Sequence, residues 1–321
     1  AGAAAREMLI AAASETWGVA ASQITVSGGK LSDTSGNSAT FGDMAGKAAT
    51  MPLPQEVKLK DAADWTQIGN EKLRRFDSAA KVNGTHDFTI DVKLDGLLTA
   101  VVAHPPKFGA RVKSFDAAEA LKVRGVTDVV EIPRGVAVVG EHMWAVIKGR
   151  ETLTVEWDEA QAETRGSAEI MADYKAKAGD AQQATARTEG DTAAALSSAA
   201  RVIEATYEFP YLAHAAMEPL NAVARKNADG TLEVWGGHQI PDVYQGISAK
   251  IAGVKPEQVT MHVMKTGGGF GRRAVADGDV VAEAVSIAKA IDYRAPVKLQ
   301  WTREDDMRGG RYRPAYVHSF K

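Results

Sequence analysis

Four glycines, one aromatic residue and two adjacent arginines stand together in Lys265-Thr266-Gly267-Gly268-Gly269-Phe270-Gly271-Arg272-Arg273. Glycines let backbone N–H groups approach a ligand closely and adopt positive φ. Loops of this kind with flanking arginines suit anions, phosphate above all. The plainer reading is a tight turn followed by a solvated basic pair. The spacing is neither that of a phosphate-binding P-loop, since no Gly-Lys-Ser/Thr follows, nor G-x-G-x-x-G. The residue types alone therefore indicate an anion or cofactor loop.

A second candidate is Trp235-Gly236-Gly237-His238-Gln239. Two glycines open the backbone, and a neutral amide that can donate without bringing charge stands at the edge. The alternative is a strand-end turn with Gln239 facing solvent. His214 and Glu218, four apart, have the spacing of helical metal ligands. Pro210 and Pro219 bracket them and no third ligand is near, so they read as a polar pair ordering a loop at a domain seam. Arg303, Glu304, Asp305 and Asp306 read as a solvated charge cluster. No H-E-x-x-H and no G-x-S-x-G is present.

These stretches need elements to position them. An apolar run at 259–264 leads into the glycine loop, and an alanine-rich helical pattern at 280–290 leads out. Hairpin strands at 222–226 and 231–234 flank Ala228-Asp229-Gly230, and a helix at 241–251 begins with proline. Upstream, residues 3–16 read as a helix, 24–31 as a short hairpin and 41–49 as a helix. Residues 88–94 alternate as a half-buried strand. Strands are also expected at 97–103, 126–132, 136–140, 152–157, 201–209 and 297–302, helices at 115–123 (Asp116 in its first turn) and 167–177, and a helical turn at 144–149. A polar connector fills much of 159–200, and 317–321 reads as a strand.

A chain of 321 residues allows about two or three domains. Its composition, 45% hydrophobic and 25% charged, is that of a soluble globular protein, and a net charge of −3 argues against general nucleic-acid binding. With no cysteine there are no disulfides and no thiolate ligands for zinc or iron–sulfur clusters. No apolar run approaches transmembrane length.

Taken together, Phe209-Pro-Tyr-Leu-Ala-His-Ala-Ala-Met-Glu-Pro-Leu-Asn221, Gly236-Gly-His-Gln-Ile-Pro-Asp242, Gly267-Gly-Gly-Phe-Gly-Arg-Arg273 and Trp301-Thr-Arg-Glu-Asp-Asp-Met307 resemble the molybdenum hydroxylase (xanthine dehydrogenase/aldehyde oxidase) family. The resemblance is to large subunits of the isoquinoline 1-oxidoreductase and bacterial aldehyde dehydrogenase type. Lys81-Val-Asn-Gly84 and Leu153-Thr-Val-Glu-Trp-Asp158 bound a block resembling that family's α/β hammerhead domain. The resemblance implies an α+β architecture. Residues 1–76 would belong to the cofactor-binding region, 77–160 to the hammerhead, and 161–321 to the first part of the molybdopterin-binding domain. It further implies a molybdopterin cofactor, in the cytosine dinucleotide form, whose metal is held by the pterin rather than by side chains. Gln239 would hydrogen-bond the apical molybdenum ligand as the catalytic group. Gly237, His238, Gln239, Gly267, Gly268, Gly269, Phe270 and Gly271 would line the cofactor, with Phe270 near the metal. Arg272 and Arg273 are candidates for its phosphate or for the domain seam.

Two departures from the family pattern shape the expected function. Where xanthine-oxidising relatives carry a purine-binding glutamate, this chain has Ala274, which points to a less polar N-heterocycle or an aldehyde. The family's catalytic glutamate, in a Gly-x-Gly-Glu context, has no counterpart here. The chain is thus expected to be the middle of a larger subunit and inactive alone, with the base on the remaining part. Implied partners are that part, a small iron–sulfur subunit carrying the 2Fe-2S clusters, a cytochrome c acceptor and a small-molecule substrate, in the periplasm. The alternatives are a cofactor-free structural or assembly module and an unrelated nucleotide-phosphate binder.

Overall fold

A computed structural model describes residues 1–180 and 184–321. Residues 181–183 of the expected polar connector lie outside the described residues. The chain divides into two compact units, Ala1–Asn83 and Gly84–Lys321.

The first unit holds helix α1 (Gly2–Trp17), an antiparallel meander of β1 (Thr25–Ser27), β2 (Lys30–Ser32) and β3 (Ser38–Thr40), α2 (Phe41–Ala48) and the short α3 (Ser78–Val82). Ala13, Ile24, Leu31 and Met44 close its core. Thr40 caps α2 and Asp43 reciprocates, donors and acceptors satisfying each other at the helix start.

In the second unit, in chain order, come β4 (Leu98–Ala103), β5 (Arg111–Asp116), α4 (Ala118–Leu121), β6 (Val126–Ile132), β7 (Gly135–Gly140), α5 (Met143–Thr152) and β8 (Thr154–Asp158). They are followed by α6 (Ser167–Ala178), α7 (Thr192–Ser198), β9 (Ala205–Phe209), β10 (Asn221–Lys226), β11 (Leu232–Gly236), α8 (Pro241–Ala252) and β12 (Val259–Val263). The unit ends with α9 (Asp279–Ala290), β13 (Val297–Gln300), α10 (Arg303–Arg308) and β14 (Tyr316–Phe320). Seven strands form one mixed sheet in the order β12-β11-β10-β13-β4-β7-β6. The pairs β11/β12 and β13/β4 are parallel, and the other pairs antiparallel. Strands from the expected 77–160 block and from 161–321 therefore share a sheet and one core. Period-two alternation sorts the two faces. Ala100, Val102, Ala137 and Val139 join the large core with α8 and α9, whereas Val101 and Val138 pack with Val146 of α5.

Several expected elements differ. Residues 88–94 form no strand. Phe88 makes one isolated bridge with Lys265, and Thr89–Asp91 is a tight 3-10 turn in which the Asp91 carboxylate accepts the Phe88 N–H at 3.0 Å. A short acidic side chain offers the backbone a local partner that competes with a ladder. The expected helix at 115–123 is a strand through Asp116 followed by one helical turn. Phe115 pairs with Val155, and the Asp116 carboxylate accepts the Ala118 N–H. The expected turn at 144–149 is the longer α5, capped by His142, whose Nδ1 accepts the Ala145 N–H. The cluster at 303–306 is not simply solvated: it opens α10, Thr302 caps it, and Asp306 is buried.

Candidate functional site

Parallel strands β11 and β12 end side by side, so the segments that leave them, 237–240 and 264–278, emerge at the same sheet edge. Crevices outside the carboxyl ends of strands are where open α/β sheets hold ligands. The Met264 N–H donates to the Gly236 carbonyl at 2.8 Å, carrying the pairing one step past the strands. The loops then touch where glycine is required: a Cβ on Gly237 would stand 2.6 Å from Thr266.

Gln239 is gripped on two sides by the main chain of Arg273. Its N–H donates to the Arg273 carbonyl at 3.1 Å, and its side-chain Oε1 accepts the Arg273 N–H at 3.2 Å. An N–H can face only an acceptor, so this contact fixes which end of the amide is which. The exposed end is therefore Nε2, a pure donor with no partner among the described residues. The N–H groups of Gly268, Gly269, Phe270 and Gly271 likewise have no acceptor among the described residues. The loop is bent, with positive φ at Gly268 (111°), Phe270 (54°) and Gly271 (90°). Phe270 in the left-handed region carries strain of roughly 1–3 kcal/mol, and the residue is 67% exposed.

Glu218 occupies the base of this loop. Its Oε2 accepts the Gly267 N–H at 2.6 Å and the Thr266 hydroxyl at 2.9 Å, and its Oε1 accepts Asn221 Nδ2 at 2.7 Å and the Ile90 N–H at 3.3 Å. The first amide of the expected anion cradle is thus filled by the protein's own carboxylate. His214 is not its partner. That ring is depressed in pKa by burial and by Arg313 and Arg272. The segment before Glu218 is held by Arg303, whose Nη2 donates to the Ala216 and Met217 carbonyls at 2.6 and 3.0 Å and whose Nη1 pairs with Asp306. Burial raises the Asp306 pKa, and the neighbouring arginines oppose that rise.

The two arginines after the loop face inward. Arg272 forms a buried ion pair with Asp279 at 2.6 Å and lies over the Trp301 ring. Arg273 donates to the Gly268 carbonyl at 3.1 Å and the Glu218 carbonyl at 3.0 Å, and burial lowers its pKa. Both guanidinium groups thus make internal contacts within this unit, while Arg272 Nη1 keeps a donor without a partner among the described residues. His238 also turns inward, edge-on to Tyr244. Burial first, and Arg273 second, depress its pKa to about 4, so the ring is neutral at neutral pH. His238 Nε2, Asn221 Oδ1 and Arg272 Nη1 lack partners among the described residues, and their residues line a cavity of about 10 Å³, the room of a single water.

No group of three or more metal-ligating side chains occurs among the described residues. What the site offers is a row of N–H donors on bare backbone beside a fixed amide donor. That set fits oxygen ligands of a metal carried by an organic cofactor and does not fit a metal bound by the protein itself. Sequence reading singled out Gln239 and the glycine loop, and the fold brings the two together. Thr266 and Asn221 lay inside the quoted stretches but received no role there; their contacts to Glu218 appear only in the fold.

Residues 176–321 match the molybdopterin cofactor-binding domain. The chain is 31% identical to the isoquinoline 1-oxidoreductase subunit beta of Brevundimonas diminuta, over 98% of this chain and 45% of the relative. It is 30% identical to the membrane-bound aldehyde dehydrogenase [pyrroloquinoline-quinone] of Gluconacetobacter polyoxogenes, over 99% and 42%. The chain thus spans less than half the length of these curated relatives. In fold it resembles quinoline 2-oxidoreductase from Pseudomonas putida 86 (TM-score 0.57, 19% identity, 73% of this chain and 34% of that one). It also resembles the aldehyde oxidoreductase of Desulfovibrio gigas (TM-score 0.57, 20% identity, 75% and 31%). Motifs in the same order along nearly the whole chain, a matched cofactor domain and a shared fold lead to one conclusion: the chain belongs to the molybdenum hydroxylase family and matches part of its large subunit.

Proposed function

We propose that this chain supplies the hammerhead region and the first part of the cofactor-binding region of a molybdenum hydroxylase that oxidises an aldehyde or an N-heterocycle with oxygen from water. The observation that carries this reading is the fixed amide of Gln239, its Nε2 donor outward, beside the unpartnered N–H groups of 268–271. When bound, the pterin-held metal supplies the two-electron redox chemistry. The chain's own part is to bind and orient. Gln239 would offer the bound group a neutral donor, and the free N–H groups of 268–271 would line it beside that amide. Arg273 holds both by its main chain and guanidinium. The family model at 176–321 favours molybdopterin over the quinone named in the Gluconacetobacter relative.

The proton-accepting glutamate is assigned to the part of the subunit outside this chain, because Glu218, the carboxylate that holds the Gly267 amide, has each oxygen engaged by two donors. The cytosine dinucleotide form, an iron–sulfur subunit, a cytochrome c acceptor and a periplasmic setting complete the proposal. Metal and nucleotide analysis of the native complex tests it: near-stoichiometric molybdenum and release of CMP on acid hydrolysis are expected. A complex without molybdenum would support the alternative of a structural or assembly module. With a dye acceptor, the complex should oxidise quinolines or aldehydes, while residues 1–321 alone should not. Turnover by the isolated chain would overturn the placement of the base.

A further inference from the structure

The Glu218 side chain does more than fill space under the loop. An ionised carboxylate has about four lone-pair sites, and four donors occupy them: the Gly267 N–H, the Thr266 hydroxyl, Asn221 Nδ2 and the Ile90 N–H. These come from the loop, the start of β10 and the 3-10 turn at Thr89–Asp91. The main chain of Glu218 adds two more ties, donating its N–H to the Gly267 carbonyl at 3.2 Å and accepting Arg273 Nη2 at 3.0 Å. The approach is close enough that a Cβ on Gly267 would stand 2.8 Å from Glu218 Cβ. Immediately beyond Gly267 the backbone takes positive φ at three of the next four residues. Such a path persists only when its surroundings over-determine it.

We propose that Glu218 is the positioning residue of the glycine loop: its carboxylate is a built-in anion that pins Thr266 and Gly267 and so sets the direction of the free N–H groups at 268–271 beside Gln239. The assignment of those N–H groups to a cofactor rests on the proposed function. The anchoring of the loop does not. Gly267 is glycine so that the carboxylate can reach its amide, and Thr266 supplies the hydroxyl that completes Oε2. Asn221 and Ile90 hold Oε1 from the other side, which keeps the carboxylate plane fixed.

The test is hydrogen exchange of the 264–274 amides, read by mass spectrometry in the complete native complex. Glu218→Ala should speed exchange there by roughly 100-fold, as expected for losing two hydrogen bonds to a charged acceptor. Formate, a carboxylate small enough for the vacated space, should restore much of the protection, whereas chloride at equal ionic strength should not. Glu218→Gln keeps the volume but turns an NH2 towards two donors, so it should loosen the same segment without a cavity. Should Glu218→Ala fail to accumulate, Thr266→Val keeps the carboxylate and removes one donor, and roughly tenfold faster exchange is expected. Unchanged exchange in these variants, or equal restoration by chloride, overturns the proposal. Molybdenum content of the wild-type complex is measured separately. Its absence would sink the functional reading and leave the exchange result standing.

Discussion

Inner strand β7, at one side of the seven-stranded sheet, and the loop-bearing edge at the other bury different things. In β7 all six residues, Gly135–Gly140, are buried, and none has a polar side chain. A few strands away, the site region buries Glu218, Asn221, His238, Arg272, Arg273, Asp279 and Asp306. Apolar burial is non-directional and tolerates volume-conserving exchange. Buried charge is tolerated where a counter-charge or hydrogen-bond partner is in place, and it fixes direction in return. Strand β7 supplies stability, and the loop edge supplies orientation.

Breaking the Arg272–Asp279 pair should show the largest difference between the regions. Asp279→Ala leaves a buried guanidinium without its carboxylate and should cost about 3–5 kcal/mol in urea unfolding. The double variant Arg272→Met/Asp279→Leu should recover a large part of that loss. If the single and double variants are equally destabilised, the pair is not what holds the loop edge. In β7, Val138→Ala should cost about 2 kcal/mol and leave exchange in the 264–274 amides unchanged. Faster loop exchange in that variant would erase the division between the two regions.

Gln239→Leu sharpens the comparison from the other side. Its Oε1 bond to Arg273 is worth about 1 kcal/mol, so unfolding should barely shift. Turnover by the complete enzyme should nevertheless fall by about 100-fold, the usual effect of removing one preorganised donor.

The smallest expected effect is pH-dependent. Burial pushes the His104 pKa down, but the charge and hydrogen bond of Glu283, with Asp305 adding, outweigh it and leave the pKa raised. A raised folded-state pKa gives stability that is fully present below the ordinary histidine value of about 6.5 and is lost as pH rises through the folded value. Unfolding midpoints should therefore fall from pH 6 towards pH 9 in the wild type and less so in His104→Gln. Parallel profiles would remove His104 from the account.

Much of this was legible locally. The 3.6-residue pattern over Asp279–Ala290 and the proline opening Pro241–Ala252 mark helices that form close to where periodicity puts them. Thr25–Ser27 and Lys30–Ser32 pair across Gly28 and Gly29 as the turn residues require. Alternation misled at Phe88, because a pattern of period two says that a segment can pair, not that a partner strand arrives. It said nothing of Phe115, whose partner, Val155, lies forty residues on.

The amino-acid sequence by itself determined the kinds of element, the bare backbone at 267–271 and the presence of a neutral donor at Gln239, since these depend on residue type and on neighbours within a turn or two. Only the tertiary structure decided which end of the Gln239 amide faces out, that Arg272 and Arg273 turn inward, and that Glu218 fills the loop's first amide. Those outcomes depend on hydrogen-bond saturation among groups brought together from far apart. Glu218 takes one donor three residues away and another 128 residues away, and no local pattern in the chain encodes the second.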